Sequence, residues 1–130
     1  MLHFAGNLGS SHAQYGQHDE YDVEVVTLDS LGFTGVGFIK VDVEGAELQV
    51  LEGARMLLAR DRPILLIELL AGTYADPGGA VEEIAAAYDY DAFIFHAGRL
   101  EPAGPIIAGL GSNTTWGTAY ETRNVLFRPR

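Results

Sequence analysis

The chain has 130 residues, a formal net charge of −10, a mean hydropathy of +0.09 and no cysteine. That length holds one domain, with roughly two thirds of its unfolded surface buried on folding. The charge disfavours nucleic acid, whose phosphates need a basic surface, and an anionic membrane. The missing cysteines exclude disulfides, zinc–thiolate sites and thiol chemistry.

The first twenty-one residues are polar, with Gly6, Gly9 and Gly16. Leu2 and Phe4 fit a short edge strand, and 7–11 reads as a turn. No basic stretch is followed by an apolar one, and no run of about eighteen apolar residues occurs. Cytoplasm is therefore the expected compartment. His12 and His18, followed by Asp19 and Glu20, have no usual metal spacing, so a solvated loop is expected. Residues 23–27 are β-branched and weakly alternating, which predicts a strand. Asp29 or Ser30 then fits a helix or turn cap. Gly32, Gly35 and Gly37 break the chain before the central element.

That element is Phe38-Ile39-Lys40-Val41-Asp42-Val43-Glu44-Gly45-Ala46-Glu47. It reads as a strand, a tight turn and a helix start. Alternation puts Phe38, Lys40, Asp42 and Glu44 on one face and Ile39, Val41 and Val43 on the other. Ligands of open α/β sheets bind beyond the carboxyl ends of the strands, where Asp42, Glu44 and Glu47 stand. Lys40, the only lysine in the chain, lies one strand period before Asp42. Val50, Leu51, Ala54, Leu57 and Leu58 form the inward stripe of a helix running to about Arg60. Glu47 heads that stripe, three residues before Val50, and does not face water. The bland readings are a first-turn Glu that suits the helix dipole and an ordinary Lys40–Asp42 ion pair. Gly53 within the helix costs roughly 1 kcal/mol against Ala, which points to a close approach to the sheet.

Arg62-Pro63 ends the helix and opens the strand 64–69. This strand is apolar on both faces, as in a parallel strand covered on both sides. Glu68 closes it, and a strand–helix–strand unit brings Glu68 beside Asp42 and Glu44. After a loop, Asp76 caps and Pro77 starts a second helix, whose stripe is Val81, Ile84, Ala85 and Tyr88. Residues 92–96 form a strand, Gly98 a turn, and Arg99-Leu100 pairs back. Residues 102–122 form a long loop with Trp116 and Tyr120, of a length common in lids and binding loops. Asn124-Val125-Leu126-Phe127 is the last strand.

No GxGxxG follows a strand, and GxxxxGK[ST], HExxH and GxSxG are absent. Gly109-Leu110-Gly111 follows no convincing strand. Ser10 and Ser11 near His12 lack an orienting context for a nucleophile, and His96 reads as a core-edge histidine. The four carboxylates Asp42, Glu44, Glu47 and Glu68 are expected to crowd one rim. Such crowding raises a carboxyl pKa and suits a base, and it can also gather Mg²⁺ through oxygen ligands. A magnesium site serving phosphate chemistry is disfavoured by the missing phosphate loop and the few basic residues.

Thr27-Leu28-Asp29-Ser30-Leu31, the segment 38–47, Leu51-Glu52-Gly53-Ala54 and Arg62-Pro63-Ile64 through Glu68 together resemble the FkbM family of methyltransferases. The ends, 2–11 and 124–129, are similar to that family's hairpin and last strand. The resemblance implies a partial class I, Rossmann-like α/β fold with a mixed sheet and an antiparallel last strand. It implies S-adenosylmethionine-dependent methylation, usually of oxygen, with a sugar or small-molecule hydroxyl as acceptor. Asp42 then lies beside donor and substrate, Glu44 and Glu47 join it as catalytic residues, and Glu68 and Lys40 help bind substrate. It further implies a single domain over 1–130, truncated at its N-terminal side, with the donor cradle upstream. The central strand is then left with an open edge. The alternative from another class is a catalytically inactive truncated remnant that binds a partner or oligomerises through that edge.

Overall fold

The computed structural model describes residues 24–43, 45–69, 76–96, 98–104 and 124–130. The readings made above for 1–23, for Glu44 and for the segment 105–122 with Trp116 and Tyr120 lie outside the described residues. A short 3₁₀ turn at Asp29–Leu31 precedes β1 (Phe38–Val41), α1 (Glu47–Glu52), α2 (Arg55–Asp61) and β2 (Ile64–Glu68). Then follow α3 (Pro77–Tyr88), β3 (Tyr90–His96), β4 (Arg99–Pro102) and β5 (Asn124–Pro129).

The five strands form one mixed sheet in the order β1-β2-β5-β3-β4. β1 and β2 are parallel, with Phe38 opposite Ile64 and Val41 opposite Ile67. β5 runs antiparallel between β2 and β3, as expected of the last strand. Arg99-Leu100 does pair back, within the β3–β4 hairpin.

One face of the sheet carries the core. Val41, Leu65, Ile67, Tyr90, Ile94, Val125 and Phe127 point to it and meet Leu51, Ala54, Leu57 and Leu58 from α1 and α2 and Val81 and Ile84 from α3. The predicted stripes of both helices are therefore the buried ones. Apolar area removed from water drives this layer at about 25 cal/mol per Å². The other face bears Phe38, Ile64, Leu66, Leu126, Phe93 and Phe95, aligned by the strand registers. No described helix covers it, and Phe38 is 54% exposed. Against the expectation that β2 is covered on both sides, its burial alternates along the strand, and no helix among the described residues lies over this side.

Two further expectations change. Residues 24–27 form no strand, and Val25 and Val26 are exposed. Weak alternation alone does not make a strand without a neighbour to pair with. The helix predicted to run to Arg60 is broken into α1 and α2 at Gly53-Ala54. The reason is the segment 27–31. Asp29 N–H donates to the Gly53 carbonyl at 2.9 Å, and the Asp29 carboxylate accepts from Met56 N–H at 3.0 Å and Leu57 N–H at 2.9 Å. Asp29 is a cap, but of a helix 26 residues downstream. The close approach at Gly53 is to Thr27, not to the sheet: a Cβ there would lie 3.3 Å from Thr27 Cβ.

Arg62 closes α2 in a left-handed conformation. Its guanidinium donates to the Tyr88 and Asp89 carbonyls, each at 2.9 Å, and so caps the end of α3. Asp76 caps the start of α3 by accepting from Gly79 N–H at 3.0 Å, with Pro77 in the first turn. Among the described residues no helix is long and apolar enough to cross a membrane.

Candidate functional site

Parallel pairing of β1 with β2 sets the site. Val41 stands opposite Ile67, so one residue further Asp42 stands beside Glu68 at the carboxyl rim. The side chains follow the backbone. Lys40 Nζ donates to Asp42 Oδ2 at 2.5 Å, and Asp42 also shares a hydrogen bond with Glu68. Lys40, Asp42 and Glu68 thus form one group on the helix-free face. Their side chains remain accessible, that of Asp42 at 40%.

The electrostatics differ from the crowding expectation. The hydrogen bond from Lys40 holds Asp42 below the ordinary carboxylate value, and the hydrogen bond with Glu68 acts the same way. Lys40 is raised in return, chiefly by its bond to Asp42. With the Lys40 ammonium 2.5 Å away, Asp42 is held as the anion.

Glu47 is placed differently. It heads α1 and is 1% exposed, in keeping with its inward position in the sequence. Its Oε1 accepts from Val43 N–H at 3.4 Å, and both its oxygens accept from Gly45 N–H at 3.0 Å. Gly45 has φ +112°, a conformation that favours glycine. The Glu47 carboxylate is thus turned into the 43–46 loop, and the structure does not bring it to the exposed Lys40–Asp42–Glu68 group.

Sequence reasoning missed Asn124. It opens β5 directly across from Glu68 and so adds a carboxamide position to the rim. The only signal was a polar residue at the head of an apolar strand. From Asn124 an open cavity of about 300 Å³ runs along the helix-free face, lined by Leu66, Phe93, Phe95, Leu100 and Leu126. Among the described residues no three metal-ligating side chains are gathered for a cation, so the magnesium expectation gains no ligand set there.

The conspicuous motifs divide by role. Asp29, Gly53 and Arg62 act on helix ends, while Lys40, Asp42 and Glu68 face the rim. No curated protein and no solved structure matches the chain significantly. The family model of the methyltransferase FkbM domain matches residues 3–98. The mixed sheet with its parallel β1–β2 pair and antiparallel last strand is that of a Rossmann-like methyltransferase fold. The chain belongs to the FkbM methyltransferase domain family.

Proposed function

We propose that this domain takes part in S-adenosylmethionine-dependent O-methylation of a sugar or small-molecule hydroxyl, with Asp42 facing the acceptor. The observation that carries the reading is the meeting of Lys40, Asp42 and Glu68 at the carboxyl rim of a methyltransferase-family sheet. S-adenosylmethionine supplies an electrophilic methyl group on a positively charged sulfur. The rim fits the charged part of that molecule, because an ionised Asp42 complements a sulfonium. No set of residues for its ribose and adenine is recognisable among the described residues.

Asp42 accepts the hydrogen bond of the acceptor hydroxyl and orients the oxygen. Positioning of this kind carries most of the acceleration in a displacement. A depressed pKa does not disqualify Asp42 as proton acceptor. As the new C–O bond forms, the oxygen becomes positive and its proton strongly acidic, so a weak carboxylate base suffices. Lys40 keeps Asp42 ionised, and Glu68 fixes its orientation by the shared hydrogen bond.

The test is release of S-adenosylhomocysteine when the protein meets S-adenosylmethionine and a panel of hydroxylated acceptors. Turnover is expected, and Asp42→Asn should lower it by about 10²-fold or more. No heat on titration with S-adenosylmethionine at high concentration would count against this chain acting alone. A second reading, an inactive module that binds a second copy, is favoured by β1. It ends the strand order, and its outer edge has no strand partner among the described residues. Light scattering across a concentration series separates the two, because this reading requires a dimer and fails on a clean monomer.

A further inference from the structure

We propose that Glu47 is a positioning residue for Asp42, acting through the backbone of the loop between β1 and α1. This rests on the reading of Asp42 as the group that faces the acceptor. The Val43 N–H that Glu47 accepts belongs to the peptide unit that begins at the carbonyl carbon of Asp42. The second anchor, Gly45 N–H, is held by both carboxylate oxygens two residues further on. A side chain on α1 therefore grips the chain on the far side of Asp42, while β1 holds it on the near side through the ladder to β2. Between these grips the Asp42 backbone is held, and its side chain reaches Lys40 and Glu68 together.

The burial of Glu47 supports this reading. Removing a carboxylate from water is costly unless charge-assisted hydrogen bonds replace the hydration. A helix start needs no buried carboxylate, since an exposed first-turn Glu satisfies the dipole equally well. What the buried position adds is a hold on the Val43 and Gly45 N–H groups that follow Asp42. Gly45 is the matching half of the device, because its φ of +112° aims its N–H at Glu47 and would strain a side chain.

The charged groups that face Asp42 among the described residues are Lys40 on β1 and Glu68 on β2, and Glu47 on α1 stands behind the loop. The experiment is a carbon-13 NMR titration of the Asp42 carboxyl in the wild type and in Glu47→Ala, Glu47→Asp and Glu47→Gln. Charge loss and loss of positioning predict opposite signs. Removing a nearby negative charge lowers the Asp42 midpoint, whereas releasing Asp42 from Lys40 raises it toward its ordinary 3.8. The expected result is an upward shift in Glu47→Ala and Glu47→Asp. Glu47→Gln keeps a carbonyl oxygen for Gly45 N–H and should stay low. An unchanged or lowered midpoint in Glu47→Ala overturns the proposal. If that variant does not fold, a wild-type midpoint in Glu47→Asp overturns it instead. No donor or acceptor enters the titration, so failed methyl transfer and failed positioning are read separately.

Discussion

Asp42 and Asp61 each hold their acid below the ordinary 3.8. For Asp42 the main cause is Lys40. For Asp61 it is the Arg60 guanidinium, joined by Val36 N–H at 3.0 Å. A carboxyl depressed on folding adds stability above its unfolded value, and that stability fades as pH falls through the folded one. Circular dichroism should therefore hold its native signal down to about pH 4 and lose it progressively below. Asp61→Asn should make the loss shallower. Lys40→Met should move the Asp42 midpoint upward, and with it the acidic limb of any methyl-transfer profile. Much at this scale was legible beforehand. Alternation put Lys40 and Asp42 on one face, and the parallel unit put Glu68 beside them. The sign of the Asp42 shift was not legible, because it depends on hydrogen bonds from Lys40 and with Glu68 that form only in the fold.

The helices show how motif and role separate. In sequence, Thr27-Leu28-Asp29-Ser30 and Leu51-Glu52-Gly53-Ala54 are distant words. In the fold they are one joint, in which Asp29 satisfies the first N–H groups of α2 and Gly53 lets Thr27 come close. Capping by a remote carboxylate leaves no local signature, so the interruption between α1 and α2 was invisible to periodicity. Asp29→Ala should cost about 1 kcal/mol in urea unfolding, typical of a lost N-cap, with Asp29→Asn recovering part. Arg62 is a similar clip, joining the end of α2 to the end of α3, with Tyr90 Oη donating to the Pro63 carbonyl at 2.8 Å beneath it. Tyr90→Phe should destabilise by about 1 kcal/mol, since it leaves that buried carbonyl short of a donor. By contrast Asp76 and Pro77 were readable as a helix start, because that cap closes within one turn.

At the scale of the molecule, the described helices cover one face of the sheet, and the chain has a strong acidic bias. A net charge of −10 works against compaction through self-repulsion. Added salt screens exposed charges, so the melting temperature should rise as sodium chloride goes from low to moderate concentration. A fall would mean that the ion pairs Arg130–Asp91 and Lys40–Asp42 outweigh the repulsion. The sequence by itself determined the mixed α/β class, the central strand and its helix-facing stripe, the family and the placing of Asp42 beside Glu68. Those features rest on local periodicity and on residues a few positions apart, which one chain displays directly. Only the tertiary structure decided that 24–27 form no strand, that no helix among the described residues covers the second face of β2 and that Asn124 joins Glu68. It also decided that Glu47 grips the loop instead of facing the rim with Asp42 and Glu68. Each of these depends on which groups come within contact in three dimensions, and contacts and hydrogen bonds are too short-ranged for spacing along the chain to foretell that.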